Sequence, residues 1–454
     1  MMKKFLALLL AAMMTLSTAS ASLLFGEPDD KQLPPETPAA AVAPVSLAAL
    51  DAAFERGKVS LVPVEQPEGE RLYSLSPAGN SALILTDDGL VAEYGGVRNP
   101  VHMAEERGVP DTYGNLATFC RMQPVQLLGE ESVVYSPDGR YAAINNSYYV
   151  LMSMRAFFDP ILIDLSTGEV FLAATYPNKM RDENMGMVTA GSFSADGKYY
   201  YYMVYGSIVM QGSRMKLFRY DMATGEVTEC FNAYDNTYYP VLAELTDGGL
   251  MIIRDEMRKD EYQGLVIMRS TGRSWYSDEE DFALPMGQWY VRRMDYSAAS
   301  GWAVTAGRLS GASEHYGLMR FRPTEDMAHL NEFIVIDNDG RLKVLTADEV
   351  AADLDAVKKD AESNMISTMP YQQITGWELS PDGRYVLLST MDYNLKSRLA
   401  ERKHVFILRL DDLALLEIDA ELPDYTPANR RVFEWHTNTI LVAEDSTFIA
   451  YTLE

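Results

Sequence analysis

The side chains best equipped for recognition chemistry fall in four stretches of the chain. Tyr148, Tyr149, Arg155, Phe157 and Phe158 form the first, and Lys179, Arg181 and Asp182 the second. His315 and Tyr316 form the third, and Tyr393, Lys396, Arg398, Arg402 and Lys403 the fourth. An aromatic ring offers a broad apolar face with a polar edge, and arginine a planar fork of donors; together they anchor a peptide, a protein surface or a sugar. The expected binding residues are therefore Tyr148, Tyr149, Arg155, Arg181, His315, Tyr316, Tyr393 and Arg398. The competing account of any one of them is ordinary: loop aromatics cover small local cores, and bases neutralise an acidic surface.

Recognised catalytic chemistry is missing. Gly-x-Ser-x-Gly, the turn that would present a nucleophilic serine, does not occur, and neither do His-Glu-x-x-His, a phosphate loop or a dinucleotide glycine pattern. The five histidines (102, 315, 329, 404 and 436) lack paired ligand spacing. Two acidic clusters, Asp337-Asn338-Asp339-Gly340 and Asp278-Glu279-Glu280-Asp281, contain calcium-type ligands without the full loop pattern, and turn chemistry suffices for the first. No catalytic residue, metal or cofactor is expected, and the reading leans away from an enzyme. A catalytic site assembled from scattered loop carboxylates stays open as an option.

The amino terminus reads as an export signal. Lys3 and Lys4 precede an apolar run from Phe5 to Leu16, and Ala19-Ser20-Ala21 supplies small residues for cleavage after Ala21. That run is too short to span a bilayer, so the mature chain is expected outside the cytoplasm without a membrane span. Removing Lys3 and Lys4 leaves 37 basic against 65 acidic residues, a formal charge of −28. Such a field disfavours nucleic acid and anionic membranes. Cys120 and Cys230 could pair in an exported protein, and their spacing is not a metal pattern. Residues 22–56 read as a flexible linker ending in a short helix from about Ser46 to Arg56, and residues 57–454 as the folded domain.

What must position any site is a repeat. Ser136-Pro137-Asp138-Gly139-Arg140-Tyr141 returns as Ser380-Pro381-Asp382-Gly383-Arg384-Tyr385 and, altered, as Ser194-Ala195-Asp196-Gly197-Lys198-Tyr199. Each copy joins two apolar runs. Pro presets one turn dihedral, Asp bonds its own backbone and Gly takes the left-handed position, so each copy is a hairpin turn. Related turns start at Ser76, Thr246, Ser297 and, degenerately, near His436. A second signature, strand, Gly-containing turn, strand, lies between them at 161–170 and 217–227, with relatives at 265–272 and 333–340. Each repeat thus has four strands: A and B around the first turn, C and D around the second. Four antiparallel strands recurring every 50 to 60 residues define a β-propeller, here with seven expected blades.

The Ser-Pro-Asp-Gly-Arg-Tyr turns resemble the WD-like repeats of TolB-type β-propellers, and the same hairpin is similar to that of the propeller domain of prolyl oligopeptidase-type enzymes. The resemblance covers about residues 70–450. It implies the propeller fold and little about function, because the motif encodes turns. The hydrolase half of the second family has no counterpart in the sequence.

Three expectations complete the reading. The last repeat runs out after strand C, so the spare run Val59 to Val64 should supply its outer strand and close the ring. One interval is stretched by a helix at about 347–363, with Thr346 and Glu349 as a capping box and Val350, Leu354 and Val357 on one face. Because strands alternate in direction, the A–B and C–D turns share one face. The longer connections at 97–130, 146–160, 174–190, 308–332, 347–374 and 391–404 share the other. Long loops on a rigid scaffold usually carry binding. The expected function is a non-enzymatic propeller that binds a protein or peptide partner in the cell envelope or outside the cell through its long-loop face. A carbohydrate or cell-wall ligand is the alternative, and an enzyme with a site in the central funnel the third reading.

Overall fold

The computed structural model describes residues 47–103, 133–144, 161–172, 187–208, 212–234, 237–244, 250–256, 262–270, 275–277, 282–283, 289–290, 294–309, 315–323, 329, 332–362, 369–393, 400–418, 422, 433–436, 438–444 and 447–454. It is an all-β propeller, with two helices among the described residues. In chain order the first blade is Glu70–Leu75, Ser81–Thr86, Leu90–Tyr94 and Val97–Pro100, each strand antiparallel to the next. The second is Val133–Tyr135, Tyr141–Ile144, Ile161–Asp164 and Glu169–Leu172. Met187–Phe193, Tyr199–Ile208, Gly212–Asp221 and Val227–Tyr234 form the third, and Thr237–Glu244, Leu250–Glu256, Tyr262–Ser270 and Trp275–Ser277 the fourth.

The stretched fifth interval differs from its sequence reading. Residues 333–340 look like strand C and its turn, but strand C is His315–Phe321, which pairs with Ala303–Leu309. Glu332–Ile336 is strand D, and Leu342–Thr346 adds a fifth strand outside it. A strand, an Asp/Asn/Gly turn and another strand look alike wherever they fall in a blade; only cross-strand pairing separates the cases. The helix Ala347–Glu362 follows, as expected, and buries Val350 and Leu354. Its capping box is formed: Thr346 N and Oγ1 donate to Glu349 Oε2, and Glu349 N to Thr346 Oγ1.

Gln373–Leu379, Tyr385–Tyr393, Ala400–Arg409 and Leu415–Glu417 make the sixth blade. The last set is Phe433–His436, Thr439–Glu444 and Thr447–Leu453. Its outer strand is Leu61–Pro63, antiparallel with Leu61 opposite Leu453 and Pro63 opposite Tyr451. The spare amino-terminal strand therefore closes the last blade.

The core lies in the seams between blades. Tyr73, Leu83 and Ala92 pack with Ile144 and Ile163 of the second blade and Leu441 and Phe448 of the last. Between the second and third blades, Ala143, Leu162 and Phe171 meet Tyr200, Tyr202 and Phe218. Tyr202 stacks on Phe218 at 5.4 Å, so the tyrosine-rich strand serves packing.

The short helix, Ala48–Arg56, is docked on the propeller. Leu47, Leu50 and Ala53 are buried with Leu387, Ile407 and Trp435. Asp51 accepts from both terminal nitrogens of Arg384, at 3.1 and 2.9 Å, and from the Tyr385 hydroxyl. Those bonds from Arg384 and Tyr385 hold its carboxyl below the usual carboxylate range.

Candidate functional site

The two faces of the propeller are built differently. On one, the Ser-Pro-Asp-Gly turns are pinned from within. Ser136 Oγ donates to Asp138 Oδ1 at 2.6 Å and accepts from Tyr141 N, while Asp138 Oδ1 also takes Arg140 N. Ser380, Asp382, Arg384 and Tyr385 repeat the pattern. Arg140 then reaches across to Asp164 at the C–D turn, 2.8 Å away, which places the two turns on one face; this bond raises the arginine's pKa. Neighbouring turns also abut. Gly139 has φ +73°, and a Cβ there would lie 2.2 Å from Asn80 Oδ1, whose amide donates to Asp138 O.

The sixth blade breaks this pattern. Arg409 stands opposite Tyr385, where the second blade has Asp164 opposite Tyr141. Two arginines thus face one another at this turn, and the missing carboxylate comes from Asp51 of the amino-terminal helix. Arg409 also lies over the Phe54 ring at 4.8 Å and bonds Asp412, whose carboxyl it holds down at about 2.

The opposite face collects buried polar groups at one place, the end of the seam between the fifth and sixth blades. Ile374, Thr390 and His404 are directly opposed across strands A, B and C of the sixth blade, so their side chains share a face. That face packs on the fifth blade, because Leu388, Phe406 and Leu408 cluster with Val304, Leu318 and Ile334. Thr390 Oγ1 donates to Gln372 Oε1, and both residues are 1% exposed. Gln372 Nε2 has no hydrogen-bond partner. On strand C, His404 Nδ1 donates to Glu417 Oε1 of strand D at 2.9 Å, and the ring stacks on Phe406. His404 Nε2 lies 4.0 Å from Asp392 Oδ2 and makes no hydrogen bond. Asp392 is 4% exposed. Gln372, Thr390, His404 and Glu417 thus lie along one face of the sixth blade, with Asp392 beside His404.

Two of the sequence-predicted residues belong to this seam. His315 is bridged to Ile374, and Tyr316 is buried two positions before Leu318 on the strand that packs there. Both were expected in a loop and instead open a strand. Tyr393 ends strand B directly after Asp392. Tyr148, Tyr149, Arg155, Arg181 and Arg398 lie outside the described residues. Several expected loops also contain strand: Val97–Pro100 and His102–Met103 begin the first, and Met187–Phe193 takes the end of the third. Sequence reasoning missed Gln372, Thr390, Asp392, His404 and Glu417. The available signal was polar residues at inward strand positions, countable outward from the turn at Ser380.

Asp337 of the first acidic cluster serves its turn, accepting from Asp339 N and Arg341 N; the second cluster and Cys120 lie outside the described residues, and Cys230 is buried. Among the described residues no three His, Cys, Asp or Glu side chains group as a metal site, and no helix is long and apolar enough to cross a membrane.

The chain matches no family model and no curated protein. Among solved structures it is similar to the oligogalacturonate lyase of Vibrio parahaemolyticus. That match has 11% identity and a TM-score of 0.45, covering 88% of this chain and 98% of the other. It is also similar to the β-propeller domain of the Trilobed protease from Pyrococcus furiosus. Here the identity is 10% and the TM-score 0.37, with 87% of this chain and 95% of the other covered. What the strand pairing defines is the class: a β-propeller whose last blade is completed by an amino-terminal strand.

Proposed function

We propose that this chain is an exported, non-enzymatic, seven-bladed propeller that binds an extracytoplasmic partner through its long-loop face. The observation that carries it is the group of buried polar atoms without partners at the long-loop end of the seam between the fifth and sixth blades. In the second blade the turn-face polar groups are spent on one another, as in Ser136–Asp138–Arg140–Asp164. At the long-loop end of the fifth seam, the buried Gln372 Nε2 and the largely buried His404 Nε2 retain unused hydrogen-bonding capacity. Buried polar groups are usually satisfied, so capacity held in reserve in this seam supports a ligand site there.

Envelope and cell-wall material from the producing cell tests the face. Asp339 is exposed in the turn between Glu332–Ile336 and Leu342–Thr346, and strand direction puts that turn on the long-loop face. Ala223 is exposed in the C–D turn of the third blade, on the opposite face. Asp339→Arg and the triple change Tyr148→Ala, Arg155→Ala, Arg398→Ala should reduce binding at least severalfold, and Ala223→Arg should leave it unchanged. Loss with Ala223→Arg alone would place the ligand on the turn face and overturn the reading.

A further inference from the structure

We infer that the sixth and last blades form a receptor for the amino-terminal segment 47–63, and that this receptor accepts the segment of a second copy in place of its own, so that two chains close each other's rings. The inference goes beyond the binding role proposed for the long-loop face and does not depend on it.

The segment carries its own address. Leu47, Leu50, Ala53, Val59 and Leu61 are buried in one cluster. Among the described residues, its other buried members come from the sixth and last blades, and none from the first, to which the segment is joined. Asp51 accepts from Arg384 and from the Tyr385 hydroxyl, while Phe54 stacks on Tyr385 at 5.7 Å and has Arg409 over its ring at 4.8 Å. Without the segment this surface presents two arginines beside apolar side chains, because Arg409 stands where the second blade has Asp164. An amphipathic helix with an acid three positions before an aromatic complements it in charge and shape. A second copy of the chain carries that same segment, and each of these contacts is the same whichever chain supplies it.

The link to the first blade is slight. Residues 64–69 join Leu61–Pro63 to Glu70–Leu75, and Val64, Glu65, Pro67, Glu68 and Gly69 are exposed. One turn, with Glu70 N donating to Pro67 O at 3.1 Å and Gly69 at φ +81°, redirects the chain from the outer edge of the last blade into the first. Gln66 fastens it: Nε2 donates to Phe448 O, and Oε1 accepts from Leu72 N. A short hinge of this kind is where chains exchange identical elements. Exchange keeps the segment's contacts and alters only the hinge. Its cost is the association of two chains, so the exchanged form grows with protein concentration.

The test refolds pairs of full chains together from urea. One chain carries Leu61→Cys and the other Leu453→Cys. These positions face each other as a pair without mutual backbone hydrogen bonds, because the adjacent Ser60 and Glu454 exchange both of theirs. After oxidation the mixture should give a covalent dimer on a denaturing gel at least tenfold above either chain alone, where Cys120 and Cys230 set the background. Asp51→Lys and Arg384→Asp supply a second pair, at side chains about 40% exposed, where folding should survive. Each reversed charge meets its opposite only across two chains, so light scattering should find at least fivefold more dimer in their mixture than in either variant alone. If a cysteine variant fails to fold, this charge pair decides. Crosslinking in the mixture no greater than in its separate components would overturn the inference, and so would charge-reversed chains that stay monomeric when mixed. Dimer without the crosslink, in cysteine variants that fold, would put the contact elsewhere and overturn it as well.

Discussion

Replacing Gly383 by Ala tests whether neighbouring turns depend on one another. Gly383 has φ +68°, and a Cβ there would stand 2.3 Å from Ser297 Cβ, Ser297 Oγ and Ser300 Oγ, all on the preceding blade's turn. Gly340 has φ +78° and nothing within 4 Å, so it is the internal control. Forcing an alanine into the left-handed region costs about 1–2 kcal/mol at either position. Carbon atoms prefer about 3.5–4.0 Å, and relieving overlap against a packed neighbour adds about 1–3 kcal/mol at Gly383 alone. Gly383→Ala should therefore destabilise by about 2–5 kcal/mol and Gly340→Ala by about 1–2. Urea unfolding followed by circular dichroism reads the difference in midpoint. Adding Ser297→Gly to Gly383→Ala removes two of the three clashing atoms and should recover part of the loss. Equal midpoints for the two alanine variants would refute inter-blade contact as the reason for glycine in this motif.

Two further expectations concern the amino-terminal segment. Deleting residues 57–66 removes the strand paired with Thr447–Leu453 and should lower the melting temperature sharply; an unchanged melt would contradict closure by this strand. Asp51→Asn should cost about 1 kcal/mol at neutral pH, a small figure because Asp51 and Arg384 are each about 40% exposed. The folded carboxyl lies below its ordinary value of 3.8, so its contribution is present above that pH and lost as pH falls through the depressed value. The parent's advantage in thermal melts should thus be full at pH 7 and vanish in strong acid. An advantage that grew on acidification would contradict this account.

Turn chemistry is local, and so the propeller was legible. The Ser, Asp and Gly of each hairpin bond within six residues, and the same letters give the same geometry at 136, 194 and 380. The capping box at Thr346 is equally local. Pairing is not. Residues 333–340 fit two positions in a blade, and the choice depends on whether His315–Phe321 is already present as a strand. The docking of Asp51 depends on Arg409 standing where another blade has Asp164, a relation visible only across aligned turns. The seam row was hidden for the same reason. Gln372, Thr390, His404 and Glu417 come from four different strands or their approaches, and each looks like an ordinary polar residue in its own stretch. The residues chosen from sequence were those conspicuous locally; the structure gathers the inconspicuous ones.

Closure by Leu61–Pro63 also orders events in time. The strand that precedes every blade cannot find its partner until Thr447–Leu453 exists, since Leu61 pairs with Leu453. Seams between consecutive blades can form as the chain lengthens, each joining neighbours in sequence. The final pairing instead joins the most distant residues, and its loop-closure entropy is met only when the rest of the ring already holds the ends together. The first strand is thus the last to be committed, and until then the outer edge at Thr447–Leu453 stays open to pairing with other chains. The docked helix then holds the closing strand in place, seating Asp51 on Arg384 of the sixth blade and packing Leu47 and Leu50 with Trp435 of the last.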